Sequence, residues 1–499
     1  MRQFQQNHQN PQKKSKKLIN IIVMILAILI VFTACHKKKK PFLLLPLIDN
    51  SSVATTDNGS GDGGSGSGVG SSGDGGSGGS GGPTFTPAQG ILDDSFNSNG
   101  CYEEASPISN FDDGYTLALQ SDGKILLGGG NSNFLIARFN PNGTLDTSFN
   151  GTGYRQEDIS PTGGDWGQSI KILSDGNILL GGYCFVSGFG DDFCMAKFLS
   201  SDGSLDTTWG SSGKKIQHLG TSTDRAQSLI LDSNGKILMG GICYNGNYDF
   251  CLARFDSNGN LDTTFNTTGK VIQPMGPGID YGIVLGIQST GKILLAGYII
   301  DFGDGYKYKF AVARFDTSGN LDTTFASSGK FIYALTSSST QPIYLTSMVV
   351  QNDDKILLGG YCDMDSTSGA NDQFCMIRLD ADGNFDNSFD GDGIRIFDVP
   401  GSTYDAITSL AIQPDGKIIA GGYCVTSLSE KFCLARFNSD GSLDTTFNSS
   451  DTPGYRIQDL SINRELAKAM ILQPDGKIIL GGTCLDGSGN KHFCLARFK

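Results

Sequence analysis

The chain of 499 residues holds 69 Gly, is 38% apolar and only 18% charged, a profile that suits a turn-rich all-β protein better than a helical one. The net charge is -13, and Arg2, Lys13, Lys14, Lys16 and Lys17 place five positive charges in residues 1–34. Lys37 to Lys40 cancel Asp49, Asp57, Asp62 and Asp74, so the region beyond residue 83 carries -18, which excludes nucleic acid as a partner and leaves a cationic ligand, a metal or plain solubility.

In chain order, Lys13-Lys14-Ser15-Lys16-Lys17 precedes the apolar run Leu18 to Phe32, and Thr33-Ala34-Cys35 follows. A basic segment, about fifteen apolar residues and then small ones predict an export signal over 1–34, the run being short for a membrane span. Val31-Phe32-Thr33-Ala34-Cys35 resembles a bacterial lipobox, with Phe32 where an aliphatic is usual. The resemblance implies that Cys35 is acylated, becomes the mature N-terminus and attaches the protein to a membrane. His36 and four lysines then suit an anionic headgroup surface. Ser51 to Gly82 is almost all Gly, Ser and Asp, so 35–83 is expected to be the lipidated Cys plus a flexible tether.

From residue 91 one pattern recurs, clearest as Gln413-Pro-Asp-Gly-Lys-Ile-Ile-Ala-Gly-Gly-Tyr-Cys424, then Phe432-Cys-Leu-Ala-Arg-Phe437, then Ser439-Asp-Gly-Ser-Leu-Asp-Thr-Thr-Phe447. The basic residue of the middle element falls at Arg138, Lys197, Arg254, Arg314, Arg378, Arg436 and Arg497, spaced 57 to 64 residues apart. Each unit reads as four strands. The first ends at an Asp-Gly hairpin turn, and the second is apolar at consecutive positions and so covered on both faces. Paired glycines in the second strand, such as Gly240-Gly241, allow backbones to approach closely. Every Ala-Arg-Phe element is followed by Leu-Asp-x-x-Phe except the last, and the missing copy stands at the other end as Leu92-Asp93-Asp94-Ser95-Phe96. An open solenoid has no reason for that offset; a ring does, because the N-terminal segment completes the last blade. The predicted fold of 84–499 is an all-β, seven-bladed β-propeller of four-stranded blades, closed by pairing of the N- and C-terminal segments, with about Gly100 to Ser106 as the outer strand of blade 7.

The Asp-Gly-Lys-Ile-Leu-x-Gly-Gly, Ala-Arg-Phe and Asn/Asp-Gly-x-Leu-Asp-x-x-Phe elements resemble the delta-60 repeat, a bacterial propeller-type domain of unknown function, over about 91–499. The Gly-Gly ending the second strand is also similar to kelch propellers. Neither resemblance supplies a catalytic residue.

Ten of the eleven cysteines beyond Cys35 fall at two fixed repeat positions: Cys184 with Cys194, Cys243 with Cys251, Cys362 with Cys375, Cys424 with Cys433, and Cys484 with Cys494. Blade 1 carries Asn131 and Leu135 there, and blade 4 Ile299 and Ala311, so both partners are present or both absent in every blade. That correlation predicts five disulfides between positions facing each other across a hairpin, in keeping with export. Buried free thiols are the rival reading, and Cys101 is left unpaired.

Near the start of each first strand lies Asp112, Asp165, Asp224, Asp280, Ile343, Asp405 or Glu465. Six carboxylates in seven equivalent places would ring the axis and favour Ca²⁺ or a cationic ligand; alternatively each holds its neighbouring loop through backbone N–H groups. Asp256-Ser-Asn258-Gly-Asn-Leu-Asp262 has part of a calcium-loop spacing but lacks the closing glutamate, and Asx-turn chemistry explains it. Between the second and third strands, Phe185 and Phe189 in blade 2 and Tyr298, Phe302, Tyr306 and Tyr308 in blade 4 offer aromatic loops, either as a contact surface or as packed loops. His218 and His492 stand isolated, no Ser-His-Asp or His-Glu-x-x-His spacing occurs, and no catalytic or firm metal site is assigned. The expectation is a monomeric, non-catalytic binding or adhesion module, lipid-anchored at the bacterial outer membrane or cell surface, with a protein or glycan ligand and no obligatory cofactor. An envelope scaffold comes second and a carbohydrate-active enzyme third.

Overall fold

The computed structural model describes residues 85–103, 113–130, 132–335, 342–363, 372–427, 429–460 and 463–499. The expected signal peptide, Cys35, the tether, Asp112 and Asn131 lie outside the described residues. Seven four-stranded antiparallel sheets follow one another along the chain, six of them built from consecutive strands. The seventh takes Cys101–Glu103 as its fourth strand, paired with Lys491–Phe498 in the register Cys101↔Ala496. The predicted closure is thus present, and the last part of the expected strand, 104–106, lies outside the described residues. First strands of neighbouring blades touch one another all the way round, including blade 7 against blade 1, so they surround the axis and the fourth strands form the rim.

The core lies between blades rather than within them. One cluster joins Leu126, Phe134 and Ile136 of blade 1 to Ile170, Ile178 and Leu180 of blade 2, and similar clusters recur around the ring. This explains the two-faced apolar second strand: Ile178–Val186 reads Ile-Leu-Leu-Gly-Gly-Tyr-Cys, buried at every one of those positions. Its two glycines have separate causes. A Cβ on Gly181 would stand 2.6 Å from Leu229 of the next blade, whereas one on Gly182 would stand 1.9 Å from the Trp166 carbonyl in its own sheet. That second approach is close because each first strand carries a β-bulge at one position: Tyr115, Gln168, Gln227, Ile283, Thr346, Thr408 and Lys468 are the extra residues.

The recurring arginine is a clasp between blades. Arg254 Nε donates to Asp262 Oδ2 at 2.8 Å, Nη1 donates to the Thr317 carbonyl of the next blade at 2.6 Å, and the guanidinium stands 4.5 Å from the Phe265 ring centroid. The motif's Arg, Asp and Phe are therefore one unit, and Lys197 substitutes in blade 2 by pairing with Asp206 at 3.1 Å. The clasps also shut the ring: Arg436 donates to the Ala88 carbonyl, and Arg497 pairs with Asp93 at 2.9 Å while donating to the Pro141 carbonyl of blade 1. Asp146 is held at about 2 and Asp386 likewise. Burial pushes the other way, but hydrogen bonds from Ser148 or Ser388 and the clasp arginine outweigh it.

All five predicted disulfides are present: Cys184 with Cys194, Cys243 with Cys251, Cys362 with Cys375, Cys424 with Cys433, and Cys484 with Cys494. Their Cα–Cα distances run from 5.6 to 6.0 Å, and Cys101 is free. The register corrects one expectation, because the paired cysteines are diagonal and not opposite. Cys184 faces Asp192, and Cys194 faces Gly182. In the other blades Cys251 faces Gly241, Cys375 faces Gly360, Cys433 faces Gly422 and Cys494 faces Gly482. The glycine has no Cβ, so the sulfur of the third-strand cysteine can lean across it toward the residue two positions on. In blade 4, Ile299 and Ala311 make an apolar contact in the same place, both buried. The five disulfides mark an exported, non-cytoplasmic protein. Among the described residues no helix is long and apolar enough to cross a membrane.

Candidate functional site at the axial mouth

On one face of the ring the first strands begin and the second and third strands turn. The carboxylates predicted to ring the axis sit there, wholly buried: Asp165, Asp224, Asp405 and Glu465 at the first position of their strands and Asp280 at the second. Each is turned to the loop that leads into its own strand. Asp165 accepts from the Ile159 and Ser160 amides, Asp224 from Leu219 and Gly220, and Asp280 from Met275 and Gly276. Asp405 accepts from the Val399 amide, and Glu465 takes the Leu460 amide with both oxygens. Burial pushes Asp165 and Asp405 up to about 7 and Asp280 to about 6, with those amide bonds pulling back. Ile343 fills the same buried position in blade 5.

The next residue along each strand lies at the mouth, and because its type changes from blade to blade no repeat signal marks it in the sequence. It is Asp113, Trp166, Arg225, Tyr281, Tyr344, Ala406 or Leu466 according to blade, and the register places Tyr183, Tyr298, Tyr361 and Tyr423 of the second strands alongside. Rings then run from blade to blade. Tyr281 stacks on Tyr298 at 4.8 Å between centroids, Tyr298 meets Tyr344 of blade 5 at 5.0 Å, and Tyr344 meets Tyr361 at 4.9 Å. Tyr361 meets Tyr404 of blade 6 at 5.7 Å, and Tyr404 stacks on Tyr423 at 5.9 Å. On the other side Trp166 stacks on Tyr183, over which the Arg225 guanidinium lies at 5.4 Å. Arg225 is tied to Asp191 at 2.6 Å.

The longer chain of rings ends on Lys468 of blade 7, whose Nζ stands 5.5 Å from the Tyr423 centroid. Lys468 is only 3% exposed, and its ammonium has no hydrogen-bond partner among the described residues. Burial lowers it to about 8 from 10.5, with the Asp113 charge opposing. It occupies the bulge position, as do Gln168 and Gln227, which also keep side-chain oxygens unpartnered. The result is a chain of rings, Trp166, Tyr281, Tyr344 and Tyr404 partly exposed and Tyr183, Tyr298, Tyr361 and Tyr423 buried behind them, beside unsatisfied donors and acceptors, which suits a ligand that stacks and hydrogen-bonds at once.

Of the aromatic residues expected between the second and third strands, Phe185, Phe189, Phe302 and Tyr306 are exposed at 39 to 64%. Phe185, Tyr298 and Tyr308 are strand and not loop residues: Phe185 lies near the end of Ile178–Val186, while Tyr298 and Tyr308 lie in the strands Ile293–Asp301 and Lys307–Phe315 and join the ring chain. Asp256 and Asp380 form Asx turns, accepting from the Asn258 and Asn260 amides and from the Asp382 and Asn384 amides. Neither histidine is isolated. His492 is buried with Nε2 3.5 Å from Glu103, and His218 Nδ1 is 2.7 Å from Asp192 Oδ1.

A closed ring of seven four-stranded sheets around an axial mouth defines a seven-bladed β-propeller. Seven stretches of the chain, 120–149, 173–208, 233–265, 288–325, 351–389, 413–447 and 473–499, match the family model described as "Domain of unknown function (DUF5122) beta-propeller". No curated protein matches the chain. Among solved structures, a Dyadobacter fermentans protein of unknown function is 12% identical, covering 80% of this chain and 99% of its own at a TM-score of 0.43. A polysaccharide lyase, described as the ulvan lyase of family PL25, is 11% identical over 78% of this chain and 94% of its own, at 0.45. A Xanthomonas campestris gluconolactonase is 10% identical over 80% and 99%, at 0.33.

Proposed function

We propose that this protein is an envelope-anchored, non-catalytic binding module that takes a glycan at the axial mouth. The observation that carries the reading is the chain of tyrosine rings ending on the buried, unpartnered ammonium of Lys468. Sugar rings present apolar C–H faces to aromatic rings and hydroxyls to donors, the two things this mouth offers together. Binding is favoured over turnover because the carboxylates at the mouth are engaged by their own loops and Arg225 by Asp191. Acylation of Cys35 would hold the module on an outer-membrane or cell surface, as the lipobox-like Val31 to Cys35 supports. The test is a glycan array probed with the purified chain. A ligand class whose binding falls at least tenfold in Tyr344→Ala and Lys468→Met supports the reading; released product from a bound glycan makes the protein an enzyme instead. Metabolic labelling with a fatty acid, lost in Cys35→Ser, tests the anchor.

The scaffold reading has its own support in the exposed Phe185, Phe189, Phe302 and Tyr306, since exposed aromatics on a rigid frame are typical protein contacts. A stoichiometric envelope partner that is lost when Phe302 and Tyr306 become Ala would favour it.

A further inference from the structure

The seam between blades 2 and 3 gathers three side chains from three elements. Asp192 lies in the third strand Gly190–Phe198, His218 just after the fourth strand Lys214–Gln217, and Asp224 opens the next first strand, Asp224–Leu231. One ligand atom from each stands within 4.8 Å of the others; His218 Nδ1 is 2.7 Å from Asp192 Oδ1 and 3.6 Å from Asp224 Oδ2.

The repeat supplies a reference for what this slot holds. Between blades 6 and 7, Lys431 faces Cys424 as Asp192 faces Cys184, Asp459 follows its fourth strand as His218 does, and Glu465 faces Cys484 as Asp224 faces Cys243. There the Lys431 ammonium donates to Asp459 at 2.6 Å, to Glu465 at 3.2 Å and to the Asn463 carbonyl at 3.2 Å. A cation supplied by the chain sits among oxygens. Between blades 2 and 3 the lysine is replaced by an acid, so the slot has two carboxylates and an imidazole. Asp192 is 2% exposed and Asp224 0%, and Asp224 keeps a buried Oδ1 without a partner among the described residues. The neighbouring charges do not fill the gap: Lys270 donates to the His218 carbonyl, and Asp191 is engaged by Arg225.

We propose that Asp192, His218 and Asp224 bind a divalent transition-metal ion of the Zn²⁺ type, which takes the part played by the Lys431 ammonium in the other seam. One imidazole nitrogen with two carboxylates is a donor set for such ions, whereas Ca²⁺ takes oxygen ligands. The His218 side chain is 32% exposed, which gives the ion a route in and leaves a coordination position for solvent.

The experiment is calorimetric titration of the metal-stripped full chain, carrying Cys101→Ser to remove the free thiol, with zinc chloride at neutral pH. The expected result is one equivalent bound, weakened ~10- to 100-fold in His218→Ala and unchanged in Asp249→Asn of the next seam. Cobalt(II) should give visible absorption bands that His218→Ala lacks. Asp192→Lys puts an ammonium beside Asp224 as Lys431 stands beside Glu465, so it should abolish metal binding while keeping the fold. Absence of binding in the parent chain, or binding that survives both His218→Ala and Asp192→Lys, overturns the proposal.

Discussion

Arg436 touches every level of contact the ring uses: an ion pair with Asp444 at 2.6 Å, a ring face on Phe447 at 5.0 Å and the Ala88 carbonyl beyond its own blade. Both charged partners are buried, and Arg436→Ala leaves Asp444 with Lys417 at 2.7 Å as its remaining cation, so it should cost ~1.5–3 kcal/mol, read by chemical denaturation. Arg436→Lys should cost clearly less, because Lys197 already serves in blade 2. Asp405 works in the opposite sense. Burial raises it from 3.8 to about 7, so between those values the unfolded chain ionises while the folded one keeps its proton. Stability should therefore fall as pH rises from about 4 to about 7 and level off above. Asp405→Asn should flatten that slope in denaturation curves taken across the window. Lys468 adds a third signature, its lowered value of about 8 predicting a gain in stability from pH 8 to about 10.5. Lys468→Met should remove that gain and stabilise the fold at pH 7, even as glycan binding weakens. A residue that harms folding but helps binding is expected of a site, not of a core.

Strands and turns were legible in the sequence because each leaves a periodic trace. Asp-Gly turns mark the first hairpins (Gly416 has φ 81°), and consecutive apolar residues mark the two-faced second strands. The paired cysteines could be matched because presence and absence covary between blades within this one chain. Their diagonal setting could not, since it depends on the register that puts Cys251, Cys375 and Cys494 opposite glycines. Breaking one pair with Cys424→Ala and Cys433→Ala, which are 9 residues apart, should cost ~2–3 kcal/mol in denaturation. What stayed illegible has a common cause. A bulge shifts register without altering composition, and its position holds Tyr115, Gln168, Ile283 or Lys468 in turn, so no repeat signal points to it. The mouth is half legible in Gly-Gly-Tyr-Cys, because a strand tyrosine is as consistent with packing as with binding. His218 and Asp192 lie 26 residues apart on separate elements, and only the fold brings them together.

At the scale of the whole molecule, the phase offset of one motif specified the closed ring, and the structure closes it with Cys101–Glu103 and the Asp93–Arg497 pair. Removing residues up to 84 should leave the melting temperature unchanged. Removing residues up to 103 should abolish cooperative unfolding or give aggregates, because blade 7 loses its outer strand and exposes an edge. Calorimetry of the two truncations separates these outcomes.

The same clasp sets a timetable for biogenesis. Asp93 and Arg497 are 404 positions apart, so the strand that emerges early from the ribosome or export channel must wait for its mate until the seventh blade has arrived. During that interval the first and the latest blade each keep a bare flank, and long-range pairing of this kind is slow. A holding factor that shields the growing crescent would therefore matter more to this protein's yield than any catalyst of local folding.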